Sequence, residues 1–597
     1  MKRLSVFVLS ILLSKFILAQ SPVPPYFLSN FNQTPEYADV LKFYKSLADA
    51  NTILNSKVNV SVEMIPNSTD VGQSIALVLI SKGNTEGKVN ILINNGIHPG
   101  EPEGIDAAMI LAYNIVAVEN NSALLNQSKY FNQNYKEKNI LQHLLDVANI
   151  YIIPVYNVDG SLRRNSTTRA NQNGPEEYGF RGNARNLDLN RDFIKMDSRN
   201  AFAFVSIFQK IKPHLFIDTH TSNGADYQHT VTYIATQKNK LQQSISNYQY
   251  NEFIPQLNSS LKKYKFDPAP YVNAWSNIPD SGWAAFYESP RFATGYSTLF
   301  NAIGFTLETH MLKTYKQRVE GSYAFLFSCI EIAKRDAEKI KATKLKADQE
   351  VLTQQNFPLN WKLDSTKVNL IEFKGFESGR KNSEVSNLPR LYYDRNKPFT
   401  KTVKHYEDYR ATSSVEKPMA YVIPYAWKEV IQRLRYNNVT LTPVVKDTVL
   451  TLRAYYIDDY KTVSKPYEGH YLHSNVKLHS EIQNIKISAG DFIVYTNQQN
   501  IRYIVETLEP EAIDSYFNWN FFDAILGQKE YFSDYVFEDT AAELLKKNPE
   551  LKAKLEKRKA TDPAFAKNAD AQLDFVYRNS SYFENSYLRY PIYRLEK

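Results

Sequence analysis

Val89-Asn-Ile-Leu-Ile93 runs directly into Asn94-Asn-Gly-Ile-His98-Pro-Gly-Glu101-Pro-Glu103-Gly-Ile105. The first five residues read as a buried strand, and the apolar pattern beyond Glu103 reads as a helix to about Ala117. The chain therefore passes from strand to helix through a turn rich in Asn, Gly and Pro. This is the grammar of an α/β sheet, in which ligands bind where strands end. His98 and Glu101 stand three apart with Pro99-Gly100 turning the chain between them, so an imidazole nitrogen and a carboxylate can converge on one ion. Such a pair is common by chance and needs company.

Outward from this stretch the alternation continues. Upstream, Thr34-Pro35 opens a helix reaching about Asp49, and strands are expected at 58–64 and 75–81. Downstream come a strand at 150–155, a helix at 201–211, strands at 215–217 and 231–234, a helix at 238–264 and a strand at 304–307. A long helix with Val319, Tyr323, Leu326 and Ile330 inward runs to a Lys-rich end near Lys346. The expectation is an α/β fold: a three-layer α/β/α domain with a mixed central sheet over residues 20–347. A polar linker is expected at 348–358. Residues 359–597 read as a β-rich accessory domain, dispensable for the chemistry of the first, with helices at 539–547 and 549–559 near its end.

The company arrives at Leu215-Phe-Ile217-Asp218-Thr-His220, a second His closing a buried strand. Two His and one Glu leave one tetrahedral position open, the arrangement of a catalytic zinc site. His214 at the other end of that strand and His229 beyond a glycine turn read as structural or surface residues. Between the halves lie Asn157-Val-Asp-Gly160 and Arg181-Gly-Asn-Ala-Arg185-Asn-Leu-Asp188-Leu-Asn190-Arg191, and Thr306-Leu-Glu308 closes the final strand.

In order and rough spacing, these elements resemble the zinc metallocarboxypeptidases of the carboxypeptidase A/B family over residues 36–345. The resemblance implies one Zn²⁺ per chain held by His98, Glu101 and His220, with Glu308 as general base toward a zinc-activated water. It further implies Arg181 as the group that stabilises the oxyanion, ahead of Arg185, with Arg164 and Arg169 also in the loop. Asn190 and Arg191 would grip the terminal carboxylate of the substrate, which makes the activity that of an exopeptidase. Tyr287, ahead of Tyr296, matches the family's mobile substrate-site tyrosine. Around Arg291 to Thr294, the segment that by this resemblance lines the specificity pocket, no acidic residue is present, so an enzyme specific for Lys or Arg is not supported. Within the family a murein-peptide amidase is the alternative; outside it, a retired peptidase that serves only in binding.

Composition narrows the rest. The 597 residues are 43% hydrophobic and 22% charged, with 20 Gly and 26 Pro, which excludes collagen-like and disordered classes. The net charge of +8 is spread over 71 basic and 63 acidic residues, too thin for a nucleic-acid partner. Cys329 stands alone, so no disulfide within the chain and no multi-Cys metal site exists. Residues 1–19, with Lys2-Arg3 before an apolar run, read as a signal peptide, and the expected location is secreted or periplasmic with no later membrane span. His470, His473 and His479 cluster in the accessory domain, where strand-like alternation argues against a second metal site. Trp519, Phe521 and Phe522 read as core.

Overall fold

The computed structural model describes residues 23–53, 56–120, 137–275 and 278–596. The segment read as a signal peptide, 1–19, lies outside the described residues. Among those described, no helix is long and apolar enough to cross a membrane.

One mixed sheet organises the first part of the chain. Its strands are β1 (Val58–Ile65), β2 (Ile75–Lys82), β3 (Val89–Asn94), β4 (Ala148–Ile153), β5 (Leu215–Ser222), β6 (Val231–Ala235) and β7 (Ala269–Pro270). After β8 (Trp283–Ala284), which lies in another sheet, β9 (Ile303–His310) completes it in the order β1-β2-β4-β3-β5-β9-β6-β7. β4, β3, β5 and β9 are parallel neighbours, whereas β1/β2, β2/β4 and β9/β6 pair antiparallel. Parallel strands buried on both faces carry continuous apolar runs, which is why β3 and β5 read clearly in the sequence.

Helices α1 (Tyr37–Ile53), α2 (Glu103–Glu119), α3 (Arg199–Ile211), α4 (Tyr315–Arg335) and α5 (Ala337–Thr353) accompany the sheet. Successive side chains of a strand face opposite sides, and β5 shows what each side meets. Thr219 faces α2, approached so closely that a Cβ on Gly104 would sit 2.0 Å from its Oγ1. Phe216 faces α3 and packs edge-on against Phe208 at 5.8 Å. α2 and α4 share the first side, where Asn114 Nδ2 donates to Tyr323 OH at 2.9 Å. The expected α/β/α layering is therefore present.

Two helices read as continuous are interrupted. The 238–264 segment is helical from Gln243 to Tyr248, passes through a π turn at Gln249–Phe253, and resumes at Ile254–Lys263. Pro255 has no N–H to continue the ladder, and the shift to wider hydrogen bonds accommodates its loss. The long final helix is two, because Asp336 (φ −102°, ψ 20°) leaves helical conformation between α4 and α5.

The division of the chain also differs from the expected one. Residues 348–358 finish α5 and begin β10 (Asn356–Leu363). Ala347 and Val351 are buried on α5 while its polar residues face outward, so one solvated helix face passed for a linker. The chain forms two compact units: the first runs to Lys417 and takes in Gln432–Thr440 and Asn497–Asp514, and the second comprises Pro418–Ile431, Leu441–Thr496 and Ser515–Lys597. The first unit thus also contains β10, the hairpin of β11 (Asn369–Asn382) and β12 (Pro389–Tyr406), β13 (Tyr409–Glu416), and α6 (Ile501–Leu508), all of whose residues are buried. The hairpin carries β8 beside β12, and β10 pairs with β13. By itself, the second unit holds an antiparallel six-stranded sheet and a helical cluster with its own core around Phe537, Leu551 and Leu555. Trp519 and Phe522 are fully buried, as expected of core residues.

Because no space exists for a Cβ between α2 and β5, Gly104→Ala is expected to destabilise the protein by about 1–3 kcal/mol through overpacking. The midpoint and slope of denaturant unfolding measure this; an unchanged midpoint would mean that α2 is not seated against Thr219.

Candidate functional site

Both ligand-bearing segments leave adjacent parallel strands at the same end. Asn94 ends β3 opposite Asp218 of β5, and Asn94 Nδ2 donates to Asp218 Oδ1 at 2.9 Å. From there Gly96, at φ +64°, turns the chain in a conformation that a side chain would resist, and His98 and Glu101 come next. The Asn157-x-Asp-Gly160 turn braces them: Asn157 accepts from Gly160 N–H at 2.9 Å and donates to the carbonyls of Ile97 and Arg181 at 3.3 and 2.9 Å. One side chain therefore ties the His98 loop to the arginine loop.

His98, Glu101 and His220 are buried, and one ligand atom from each lies within 4.8 Å of the others. His220 Nδ1 is 3.2 Å from both His98 Nδ1 and Glu101 Oε2. The outward nitrogens are held by carboxylates, His98 Nε2 by Asp188 Oδ1 at 2.9 Å and His220 Nε2 by Asp218 Oδ2 at 2.8 Å. A carboxylate on the far nitrogen fixes ring orientation and raises ligand basicity, as metal-binding histidines require. Among the described residues no other group of His, Cys, Asp and Glu converges in this way. In the second unit His473 bonds Thr462 and Asp523, and His479 bonds Asp458.

Around the cluster lies a cavity of about 400 Å³. Glu308 enters it from β9 because His220 and Glu308 are register partners, and opposed residues of paired strands share a face. Burial pushes the Glu308 carboxyl up to about 8; Glu101 and Glu288 add to that, and His220 and Arg181 oppose it. Glu308 Oε2 is buried with no hydrogen-bond partner among the described residues. Such an atom is costly unless a ligand or water meets it. The converging nitrogens and oxygen, their carboxylate-backed rings and this orphaned oxygen suit a bound zinc ion.

Arg181 also reaches the cavity. Asp188 Oδ2 accepts from its Nε at 3.0 Å and lies 2.8 Å from Nη2, while Nη1 is 3.4 Å from Glu101. Asp188 thus carries His98 on one oxygen and Arg181 on the other. Burial works against its ionisation, but His98 and Arg181 hold its carboxyl well below the usual range. Arg169 bonds Glu101 Oε1 at 2.7 Å and the carbonyl of Thr221 at 3.1 Å. Despite burial, Arg169 and His98 hold the Glu101 carboxyl well below its ordinary value. Asn190 and Arg191 line the cavity too: Asn190 Oδ1 accepts from Ala293 N–H at 3.2 Å, and Arg191 Cζ lies 4.4 Å from the Phe292 ring centre.

The tyrosine expectation needs correction. Tyr287 does not line the cavity; its half-buried ring lies 5.0 Å from Tyr409 and 5.5 Å from Lys240 Nζ. Tyr296 is fully buried among aromatic rings and donates to Asn437 at 2.7 Å. Tyr271 lines the cavity instead. A spacing of about twenty residues from Glu308 pointed to Tyr287 because the fold of the intervening segment is invisible in a residue count.

Other contributors had weaker signals. Asp188 and Asp218 sit inside the sequence motifs of Arg181 and His220, but their service to His98 and His220 needed coordinates. Glu288 lies three residues before the acid-free stretch Arg291 to Thr294 and lines the cavity. Its Oε2 accepts from Thr294 N–H at 3.2 Å and Thr306 Oγ1 at 3.3 Å, and from the Thr294 hydroxyl. Burial raises its carboxyl above the ordinary value.

Residues 56–254 match the model of the zinc carboxypeptidase family. Carboxypeptidase 2 of Trichophyton equinum is 22% identical over 443 residues, covering 72% of this chain and 73% of that protein. Among solved structures, carboxypeptidase A from Helicoverpa armigera is 15% identical with a TM-score of 0.36 over 53% of this chain and 75% of its own. A metallo-carboxypeptidase from Burkholderia cenocepacia is 16% identical with a TM-score of 0.35 over 48% and 68%.

Replacing a carboxylate behind a histidine should weaken metal binding without deleting a ligand. Asp218→Asn is expected to lower zinc affinity about 10–100-fold, read by competition with a chromophoric chelator. Unchanged affinity would show that Asp218 does not orient a ligating His220.

Proposed function

We propose that the chain is an exported zinc metallocarboxypeptidase that removes residues from the C-terminus of peptides or proteins, a reading supported by the match of residues 56–254 to the model of the zinc carboxypeptidase family. The observation that carries this reading is that the His98, Glu101 and His220 cluster shares one cavity with Glu308, Arg181, Asn190 and Arg191. His98, Glu101 and His220 would hold the ion. Zinc, when bound, supplies a Lewis acid that polarises a carbonyl and makes water more acidic.

Each remaining step belongs to the chain's own residues. Arg191 offers two donors to the terminal carboxylate of a peptide and Asn190 a further polar contact, so only a free chain end is anchored. Arg181, fixed by Asp188, is permanently charged and suited to stabilise negative charge developing on the scissile carbonyl oxygen. Glu308 accepts a proton from the attacking water at its carboxylate and returns it to the leaving amine. Its buried setting, which favours the protonated form, brings its affinity for a proton toward neutral pH, where such a shuttle works best. The leader-like residues 1–19 support action outside the cytoplasm.

The same cavity bears on side-chain preference. Glu288 is a buried carboxyl whose Oε2 is held by hydroxyl and amide donors, with no cation bonded to it among the described residues. A buried carboxylate is stabilised by a hydrogen-bonded cation, so a substrate ending in Lys or Arg would bring the missing partner.

Three experiments test these readings. Incubation with peptides should release single C-terminal residues, and a chelator should stop it. Glu308→Gln should lower turnover by about 10²–10⁴-fold while zinc content measured by metal analysis stays near that of the parent. Retained activity removes Glu308 from proton transfer, and lost zinc makes it a ligand. Glu288→Gln should lower kcat/KM for peptides ending in Lys or Arg about tenfold or more relative to those ending in Leu; an unchanged ratio shows that Glu288 does not select the side chain.

A further inference from the structure

The cavity wall formed by residues 286–294 is held from far along the chain. Asp514 ends the stretch Asn497–Asp514, which belongs to the first compact unit although it lies well beyond the residues that the family model covers. Its carboxylate is buried and meets Arg291 at three points. The Arg291 backbone N–H donates to Oδ2 at 2.9 Å, Nε donates to Oδ1 at 2.8 Å, and Nη2 lies 2.6 Å from Oδ1. A carboxylate that grips both a guanidinium and the backbone amide of the same residue fixes where the main chain runs as well as where the side chain points.

The two residues after Arg291 support the carboxylate-binding pair. Phe292 lies against the Arg191 guanidinium at 4.4 Å and lines the cavity. Ala293 donates its backbone N–H to Asn190 Oδ1 at 3.2 Å. The turn has little slack: Phe292 N–H bonds the Ser289 carbonyl at 3.0 Å, and a Cβ on Gly295 would sit 1.9 Å from that carbonyl oxygen. A shift of residue 291 therefore moves Phe292 and Ala293 with it, and with them the surface against which Arg191 and Asn190 rest.

We propose that Asp514 is a positioning residue for recognition of the substrate's terminal carboxylate, acting through Arg291, Phe292 and Ala293 on Arg191 and Asn190. This rests on the carboxylate-gripping role of Asn190 and Arg191. It makes the stretch ending at Asp514 part of the apparatus that distinguishes a free chain end from any other peptide bond.

The test compares the full-length, zinc-loaded protein on two peptides that differ only in ending as a free acid or a carboxamide. In Asp514→Asn, KM for the free acid should rise about tenfold with kcat little changed, and the acid-to-amide ratio of kcat/KM should fall by the same factor. Global destabilisation would not move that ratio, because both substrates meet the same folded fraction. Arg291→Lys keeps a cation for the buried Asp514 while losing the two-nitrogen grip, and it should lower the ratio in the same direction; it decides the matter if Asp514→Asn does not fold. Unchanged ratios in the folded variants overturn the proposal. Arg191→Gln is the control for its premise: a ratio that falls there but not in Asp514→Asn or Arg291→Lys removes only the positioning role. A ratio unmoved by Arg191→Gln removes the carboxylate-binding role and the positioning role with it.

Discussion

In the register of β3, β5 and β9, Asn94 stands opposite Asp218 and His220 opposite Glu308. The Asn94 amide bonds the Asp218 carboxylate across the first pair, and the other oxygen of that carboxylate holds His220. A slip of one residue would turn every side chain of a strand to the opposite face of the sheet, moving Glu308 away from His220 and breaking the link to β3. The apolar cores on both faces make such a slip expensive, so burial far from the site secures the alignment of the site itself.

A second constraint is charge. Glu101 belongs to the ligand cluster, Asp188, Asp218, Glu288 and Glu308 lie around it, and Arg169 and Arg181 contribute the guanidinium groups bonded to Glu101 and Asp188. Taking so many carboxylates out of water is costly unless each gains a charged or strong hydrogen-bonding partner. The structure meets this unevenly. Glu101 and Asp188 are bound by arginines and histidines and stay ionised, whereas among the described residues Glu308 keeps an oxygen without a partner and Glu288 Oε2 meets neutral donors. Carboxylates of the same type are thereby driven toward different protonation behaviour by their surroundings alone. A cation at the cluster relieves the excess negative charge.

The first unit is assembled from discontinuous pieces of chain. β12 adds a parallel partner to β8 shortly before the cavity wall, Asn437 receives the Tyr296 hydroxyl, and Asp514 clasps Arg291. All three touch the segment between β7 and β9, which supplies Phe286, Glu288 and Phe292 to the cavity. That segment has few regular hydrogen-bonded elements of its own, and segments like it need outside contacts to hold one conformation. Its supports come from residues 405–514, so a boundary drawn at residue 348 would strip them away.

The amino-acid sequence by itself determined the α/β core and pointed to the His98, Glu101 and His220 side chains that converge in it. Both rest on short-range patterns: apolar runs in β3, β5 and β9, and polar residues placed directly at strand ends, as His98, Glu101, His220 and Glu308 are. Arg181, Asn190 and Arg191 were legible for the same reason, because one compact stretch carries them. Tertiary structure alone decided which tyrosine reaches the cavity, that Asp188 joins His98 to Arg181, that Glu288 lines the cavity, and where the first unit ends. Each of these depends on how an irregular segment is folded back, and such paths are set in part by contacts far apart in the chain, 223 positions in the case of Asp514 and Arg291. Local propensity cannot encode a contact like that between Asp514 and Arg291, since either residue in isolation is one more charged side chain among many.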